Sequence, residues 1–365
     1  MNTWKLVRLN FGSSPAHFGE VGIGIEETSE RVRSDTLFSA WISAYARLFD
    51  KAVSGKVEVE ALLEKFPRQC KKSPQEPPFR LSSTFIYRRD GERYIYYLPK
   101  PLEFPRGYPE DDLKFTKAYK KLNYLPLEIW RRWYQGDGFT VEGDARDLIA
   151  ETEKKADSTE PLHQAGTFDY DKGFKIQQTA KVAIDRTTRA TNFYHTGFVQ
   201  FEWEKPKQSG LYFLLNFLEQ DRELEDKLHA ALKFLGEEGL GGERSSGAGR
   251  FEAEWLELPK KWDDVVNFKH PTHHSLMSLF WELPLPEGLL DETASYAIQE
   301  RGGWIASPSS GRQLRRKMVR MFAEGSVFRT VSFGKLADVT PDKFKQHRIY
   351  RSGISLSLPV TLASR

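Results

Sequence analysis

Hydrophobic positions in this chain recur at two periods, and the switches between them lay out its elements. Val7, Leu9 and Phe11 repeat every second residue, which predicts a strand over 4–11. Leu37, Phe38, Trp41, Ile42, Tyr45 and Phe49 repeat at three and four, which predicts a helix with Ser34 as its N-cap. A shorter helical face follows at Val59, Leu62, Leu63 and Phe66 and runs into a Pro- and Lys-bearing loop ending near 79. Phe85-Ile86-Tyr87 and Tyr94-Ile95-Tyr96-Tyr97 flank Asp90-Gly91, so residues 82–98 read as a hairpin with a type I′ turn.

From Pro99 to about Lys175 the periodicity fades. Pro99, Pro101, Pro105, Pro109 and Pro126 interrupt it, and residues 141–160 are strongly charged. This predicts a long insertion (about 100–180) lying on the surface, with a short apolar helix over Leu127–Tyr134. Residues 179–203 then read as a projecting hairpin. Val182 and Ile184 lead in, Phe198, Val199, Phe201 and Trp203 lead out, and Lys181, Arg186 and Arg189 lie near the polar tip. An ordinary solvated hairpin has the same pattern. Leu211–Leu218 is nearly all apolar, as a central strand requires. Leu224, Leu228, Ala231, Leu232 and Leu235 form a helical stripe, and Phe251, Ala253 and Trp255 alternate with Glu252 and Glu254 as a strand. With the middle segment set aside as an insertion, the skeleton is β-α-β-β-α-β, the ferredoxin-like unit. Past residue 260 a second, smaller α+β set is predicted. It comprises a strand over Leu276–Leu283, a helix over Glu287–Ala294, the stretch Tyr296–Trp304, a strand over Val327–Phe333, and a closing strand carrying Ile354, Leu356 and Leu358.

Between the last helix and last strand of the first set lies Gly239-Leu240-Gly241-Gly242-Glu243-Arg244-Ser245-Ser246-Gly247-Ala248-Gly249-Arg250-Phe251, with five glycines, two serines and two arginines. Glycine reaches positive φ and lets another backbone come close. Successive N–H groups can then turn inward as an anion-binding concavity, and arginine offers a planar fork to phosphate. The loop reads as a cradle for a phosphate-bearing ligand, against the alternative of a flexible turn. A P-loop runs from strand to helix and ends in Lys-Ser/Thr; this one runs from helix to strand without that ending, which disfavours nucleoside triphosphate chemistry.

Composition narrows the partners. The chain has 365 residues, 39% hydrophobic and 29% charged, as in a soluble globular protein of two domains. The formal charge is +3, so any nucleic-acid footprint is local rather than global. Cys70 is the only cysteine, which excludes an intramolecular disulfide and fits a reducing cytoplasm. No apolar run is long enough to cross a bilayer, so no membrane partner is expected.

Six segments spread along the chain carry a family resemblance. They are His17-Phe18-Gly19, Ser34-Asp35-Thr36-Leu37-Phe38-Ser39, Val182-Ala183-Ile184-Asp185-Arg186, the glycine loop, Met321-Phe322-Ala323-Glu324-Gly325-Ser326, and Tyr350-Arg351-Ser352-Gly353. On these the chain resembles the RAMP superfamily of CRISPR proteins, and more narrowly the family that supplies the fourth subunit of type III-A Csm effector complexes. The resemblance implies an α+β protein of two ferredoxin-like (RRM-like) domains, 1–260 and 261–365. The first would carry the insertion, a thumb hairpin at about 179–203 and the glycine loop at 239–250. It also implies a non-catalytic subunit in antiviral defence that needs no cofactor or metal. Such a subunit grips the 5′ handle of the guide RNA and docks the large polymerase-like subunit and an adjacent backbone RAMP subunit. The expected RNA-facing set is Phe11, His17, Phe18, Gly19, Ser34, Lys181, Arg186, Arg189, Gly241, Gly242, Arg244, Ser245, Ser246, Gly247, Arg250 and Arg351. The match is incomplete: the segment from 100 to 180 has no counterpart, and Gln178-Thr179-Ala180-Lys181 stands where a histidine or asparagine is expected.

Single-stranded RNA is held by phosphate contacts and by bases stacked on aromatics. Phe11, Phe18 and Phe193 or Tyr194 are candidates for stacking, although core packing is the commoner role for any one of them. Arg250-Phe251-Glu252-Ala253-Glu254 places acids where the RNP1 pattern of an open-sheet RNA reader has none, so binding should run through loops. The alternative function is a metal-independent endoribonuclease that processes guide-RNA precursor with His17 as base, but no partner group for it is evident. A structural adaptor with incidental RNA contacts is a third reading. His270, His273 and His274 sit close together without a familiar metal-ligand spacing and read as a solvated loop. The run Arg312, Arg315, Arg316, Lys317, Arg320 suits RNA or an acidic partner equally.

Overall fold

The computed structural model describes residues 2–20, 24–49, 58–69, 76–152, 159–305 and 314–363. Strand β1 (Thr3–Asn10) is followed by α1 (Ser34–Phe49), α2 (Glu58–Glu64), β2 (Phe79–Leu81) and the hairpin β3–β4 (Phe85–Asp90, Arg93–Pro99). Next come α3 (Leu113–Lys121), β5 (Tyr124–Pro126), α4 (Leu127–Gln135), α5 (Arg146–Thr152) and α6 (Pro161–Ala165). The long ribbon β6–β7 (Phe174–Ile184, Thr191–Phe201), β8 (Lys207–Phe217), α7 (Arg222–Glu238) and β9 (Glu252–Glu257) complete the first unit. The second runs through α8 (Asp263–Val266), β10 (His273–Leu276), β11 (Ile298–Arg301), β12 (Val319–Phe322), β13 (Val327–Phe328), β14 (Leu336–Asp338), β15 (Tyr350–Ser352) and β16 (Ser357–Val360).

The central sheet has the order β5-β4-β3-β8-β1-β9, with β2 also paired to β8. Neighbours β9, β1, β8 and β3 are all antiparallel. In chain order these are the fourth, first, third and second strands of the split β-α-β-β-α-β skeleton. Strand residues alternate between faces, and here both faces are covered. Val7, Leu9, Leu211, Phe213 and Leu215 join α1 and α7 in one core; Leu6, Tyr212 and Leu214 join Trp130, Trp133 and residues of the second unit in another. That is why Leu211–Phe217 reads as a nearly all-apolar run.

The helices form where their sequences direct. On α1, Leu37, Phe38, Trp41, Ile42 and Tyr45 are buried, and Trp41 Nε1 donates to the Leu228 carbonyl of α7 at 2.8 Å. Burying one such leucine or phenylalanine stabilises by about 1.5–3 kcal/mol. Asp221 caps α7 by accepting from Leu224 N at 3.0 Å, and Gly239 stops it with φ at +92°.

The structure departs from the sequence-based expectations at five points. Ser34 is not the N-cap of α1: the Arg33 carbonyl accepts the first helical bond, from Leu37 N, and the Ser34 hydroxyl instead accepts from Leu279 N at 2.9 Å. The β3–β4 turn is Gly91-Glu92 rather than Asp90-Gly91, since Asp90 pairs with Arg93. A positive φ at Gly91 alone is the type II′ pattern. The described residues between 100 and 173 are not a surface layer. Trp130, Trp133 and Tyr134 are wholly buried, and Asp144 accepts from Trp133 Nε1 at 3.0 Å while pairing with Arg132. That core is built from aromatics whose polar tips are satisfied internally, at spacings broken by proline, so no period reveals it. The second unit is not a second ferredoxin-like domain among the described residues. It consists of one three-stranded and two two-stranded sheets, and residues 287–294 are turns instead of the expected helix. Finally, His273 and His274 lie on β10 rather than in a solvated loop, and His273 is held by Thr272 Oγ1 and Thr293 Oγ1.

Lys100 gives a test of this inner packing. Burial pulls its ammonium down to about 8, and its Nζ lies 3.9 Å from the Tyr119 ring centroid and donates to the Tyr119 carbonyl at 2.6 Å. A lysine with a depressed folded pKa is destabilising below that value, and the cost fades as pH rises toward the unfolded value near 10.4. Lys100→Met should therefore raise stability by about 1 kcal/mol at pH 7 and lose that gain between about pH 8 and 10. Urea unfolding at both pH values measures it; a loss at pH 7 would mean that the amine's contacts outweigh its desolvation.

Candidate nucleic-acid interface

Three segments far apart in sequence meet at one end of the sheet. Beyond β1 the chain runs through Pro15, Ala16 and His17, and the glycine loop closes on it. Gly242 N donates to the His17 carbonyl and Gly249 N to the Pro15 carbonyl, each at 2.8 Å, and Ser14 Oγ donates to the Gly247 carbonyl at 3.2 Å. The loop closes on itself through Leu240 N donating to the Gly249 carbonyl at 2.8 Å. Two glycines make this approach possible. Gly241 has φ at +103°, and a Cβ there would lie 2.3 Å from the His17 carbonyl oxygen; Gly249 has φ at +77°, and its Cβ would meet the Leu240 carbonyl at 2.2 Å.

The outer half of the loop faces solvent. Glu243 takes left-handed φ and ψ of 57° and 20° and starts a single 3-10 turn, Arg244–Ser246. Backbone bonds use the N–H groups of Gly242, Ser246, Gly247, Ala248 and Gly249, whereas those of Glu243, Arg244 and Ser245 donate to no partner among the described residues. Arg244, Ser245, Ser246 and Arg250 are exposed, and neither arginine makes an ion pair among the described residues. Three consecutive free donors beside two unpaired guanidinium groups form a surface that suits a phosphate chain.

The ribbon β6–β7 supplies the third side. Its base is buried through Phe198, Val199 and Phe201, with Ala16 bridged to Val199. Its outer part projects: Ile176, Val182, Ile184 and Phe193 are half or more exposed, and Arg186 and Arg189 at the tip are exposed. Val182 and Ile184, which lead into the hairpin, thus lie on its exposed part. Lys181 reaches back across the gap, pairing with Glu243 and lying 3.5 Å from Ser246 Oγ. Glu243 had no signal in the sequence, because its partner is a residue on a separate ribbon.

The expected RNA-facing residues separate into two groups. Gly19, Lys181, Arg186, Arg189, Gly241, Gly242, Arg244, Ser245, Ser246, Gly247 and Arg250 lie on or beside this surface. Phe11, Phe18, His17, Ser34 and Arg351 do not face solvent. Phe11 is 3% exposed, and its ring centroid lies 5.9, 5.0 and 5.7 Å from those of Phe18, Phe201 and Phe251, a floor beneath the loop. His17 is 8% exposed, with Nδ1 2.8 Å from the Gly197 carbonyl and its ring edge against Phe198. Ser34 and Arg351 sit in the seam between the two units, where Arg351 pairs with Asp35. Phe193 is the aromatic left in the open.

The seam is where the remaining motif residues gather. Asp35, wholly buried, accepts from Arg301 Nε at 2.9 Å and from Arg351. Glu324 accepts from Arg31 Nη1 at 3.2 Å, Arg33 Nη1 at 2.5 Å and Ser83. Glu20, just past Gly19, pairs with Arg33 at 2.8 Å. Of the basic run, Arg312 lies outside the described residues. Arg315 covers Trp304, Lys317 pairs with Asp342, and Arg320 pairs with Glu300. Among the described residues, no three His, Cys, Asp or Glu side chains are placed to hold a metal ion, and no helix is long and apolar enough to cross a membrane.

Comparison with known proteins bears on both units. Residues 13–252 match the RAMP superfamily, and residues 269–360 match the CRISPR Csm4 C-terminal domain. The protein of Methanocaldococcus jannaschii named "CRISPR system Cms protein Csm4" is 28% identical over 95% of each chain. The Streptococcus thermophilus protein of the same name is 27% identical over 94% of each. A crystal structure of the Csm3–Csm4 subcomplex in the type III-A CRISPR-Cas interference complex contains a chain of similar fold. Its TM-score is 0.59 at 20% identity, covering 97% of this chain and 99% of that one.

Proposed function

From its membership of the RAMP superfamily, to which this chain belongs, we propose that the protein is the Csm4-type subunit of a type III-A CRISPR ribonucleoprotein and holds the 5′ handle of the guide RNA without cleaving it. The carrying observation is the junction of the glycine loop, the 14–19 segment and the β6–β7 ribbon, where free backbone donors and unpaired arginines face solvent together. In this reading the first unit is a ferredoxin-like domain and the ribbon is its thumb, with Phe193 and the tip arginines meeting RNA beyond the handle. The large polymerase-like subunit and an adjacent backbone RAMP subunit are the protein partners, and the Csm3–Csm4 subcomplex supports the second of these.

Arg244→Ala and Arg250→Ala should each weaken handle binding by about 1–3 kcal/mol, the scale of a charge-assisted hydrogen bond. Wild-type binding should fall with salt at a log–log slope of roughly −0.7 per phosphate neutralised. Fluorescence anisotropy with labelled handle RNA reads both. Wild-type affinity in both variants removes the loop from the site.

The non-catalytic reading gains support from His17, whose Nδ1 is held by a backbone carbonyl and whose ring is packed rather than presented to solvent. Incubation with repeat RNA in EDTA should leave the RNA intact. Cleavage that disappears in His17→Ala would replace this proposal with a metal-independent ribonuclease.

A further inference from the structure

A cavity of about 520 Å³ lies away from the RNA-facing surface, between β4, α4 and the start of the second unit. The volume suits a small ligand, since such sites span roughly 300–1,000 Å³. Its floor is apolar, with Ile95, Leu127 and Ala165. One wall is aromatic: Tyr94 and Tyr96 lie with ring centroids 6.1 Å apart and planes at 15°. Lys261 Nζ stands 4.5 Å from the Tyr96 ring centroid and donates to the Tyr94 carbonyl at 3.0 Å.

The charges around this cavity are not balanced. Arg131 and Arg132, which also line it, are paired with Asp264 and Asp144. Arg93 and Lys261 make no ion pair among the described residues, and Glu128 is the one carboxylate in the lining. Burial first, then the Arg93 and Arg8 guanidinium groups, lower the Lys261 ammonium below its ordinary value, while Glu128 opposes them. An anion between Arg93 and Lys261 would relieve that repulsion.

We infer that this cavity is a nucleotide-phosphate site. The phosphate sits between Arg93 and Lys261, and the base lies against Tyr96 and Leu127. A phosphate alone leaves the aromatic wall and apolar floor unserved, whereas a nucleotide meets both cations and floor. The occupant is either a free nucleotide or a nucleotide of the guide RNA reaching this face.

The experiment titrates the full chain with each of the four nucleoside 5′-monophosphates, and with inorganic phosphate, by ligand-observed NMR. At least one nucleotide should saturate the protein and bind more tightly than phosphate. Lys261→Gln and Arg93→Gln should each weaken it about tenfold, one lost charge-assisted contact, with unfolding midpoints unchanged. Arg244→Ala should leave nucleotide binding intact, so failure of the handle reading does not carry this one with it. Ultraviolet cross-linking of assembled guide RNA to the Tyr94–Tyr96 peptide identifies RNA as the source; binding of nucleotide without that cross-link identifies the free ligand. No saturation by any nucleotide, phosphate binding as tightly, or wild-type affinity in Lys261→Gln overturns the site.

Discussion

Asp35→Ala should cost about 3–5 kcal/mol of folding stability, the penalty for leaving buried cations without their counter-charge. Asp35 is wholly buried and accepts from Arg301 and Arg351, residues of the second unit. Removing it leaves two guanidinium groups facing each other in the seam. Burial alone would raise the Asp35 pKa, but Arg301 and then Arg351 outweigh it and hold the carboxyl below its ordinary range. Glu324 behaves alike: burial raises it, and Arg31 and Arg33 bring it far below. A carboxyl with a depressed folded pKa contributes fully above its unfolded value, near 4, and loses that contribution as pH falls through the folded value. Wild-type stability should therefore drop as pH falls from about 4 toward 2, and Asp35→Ala should show a shallower drop. Urea unfolding across that range tests both statements. Replacing the trio with Asp35→Leu, Arg301→Met and Arg351→Leu should recover much of the loss, because well-packed apolar groups often match a buried ion cluster. A single-variant cost below about 1 kcal/mol would show that the seam is not held by this cluster.

Gly241→Ala should reduce handle-RNA affinity by about a hundredfold or more, roughly 2.7 kcal/mol. The new Cβ would need φ near +103° and would lie 2.3 Å from the His17 carbonyl oxygen and 3.0 Å from the Phe18 ring. Relief requires the loop to leave the 14–19 segment, which breaks the Gly242–His17 bond and scatters the free donors. Gly247→Ala is the control. Its φ is +86°, but nothing lies within 4 Å of its Cβ, so it meets backbone strain of about 1–2 kcal/mol without a clash. Anisotropy titrations of the two variants should separate them clearly. Equal affinities would mean that close packing of loop on segment is not what shapes the interface.

The glycine loop and the Ser34-Asp35 and Tyr350-Arg351 segments were all motif stretches with polar residues suited to RNA. The structure divides them. The loop keeps its arginines and serines in solvent, whereas Ser34, Asp35 and Arg351 join the two units. A polar motif therefore does not reveal which surface it serves, because an arginine's chemistry is the same whether its partner is phosphate or carboxylate. The aromatics were equally ambiguous: Phe11 and Phe18 form the floor of the loop, and Phe193 stands exposed.

The sequence by itself determined whatever depends on near neighbours. The period of α1 and α7, the apolar run of β8, the projecting ribbon and the glycine loop were all legible, because side-chain spacing and backbone freedom act within a few residues. Tertiary structure alone decided what depends on distant ones. It sealed the aromatic core of the described residues between 100 and 173, made small sheets of the second unit, and joined Asp35 to Arg351 and Lys181 to Glu243. Periodicity carries no record of a partner hundreds of positions away; only the folded chain brings such charges within reach and removes the water that would otherwise screen them.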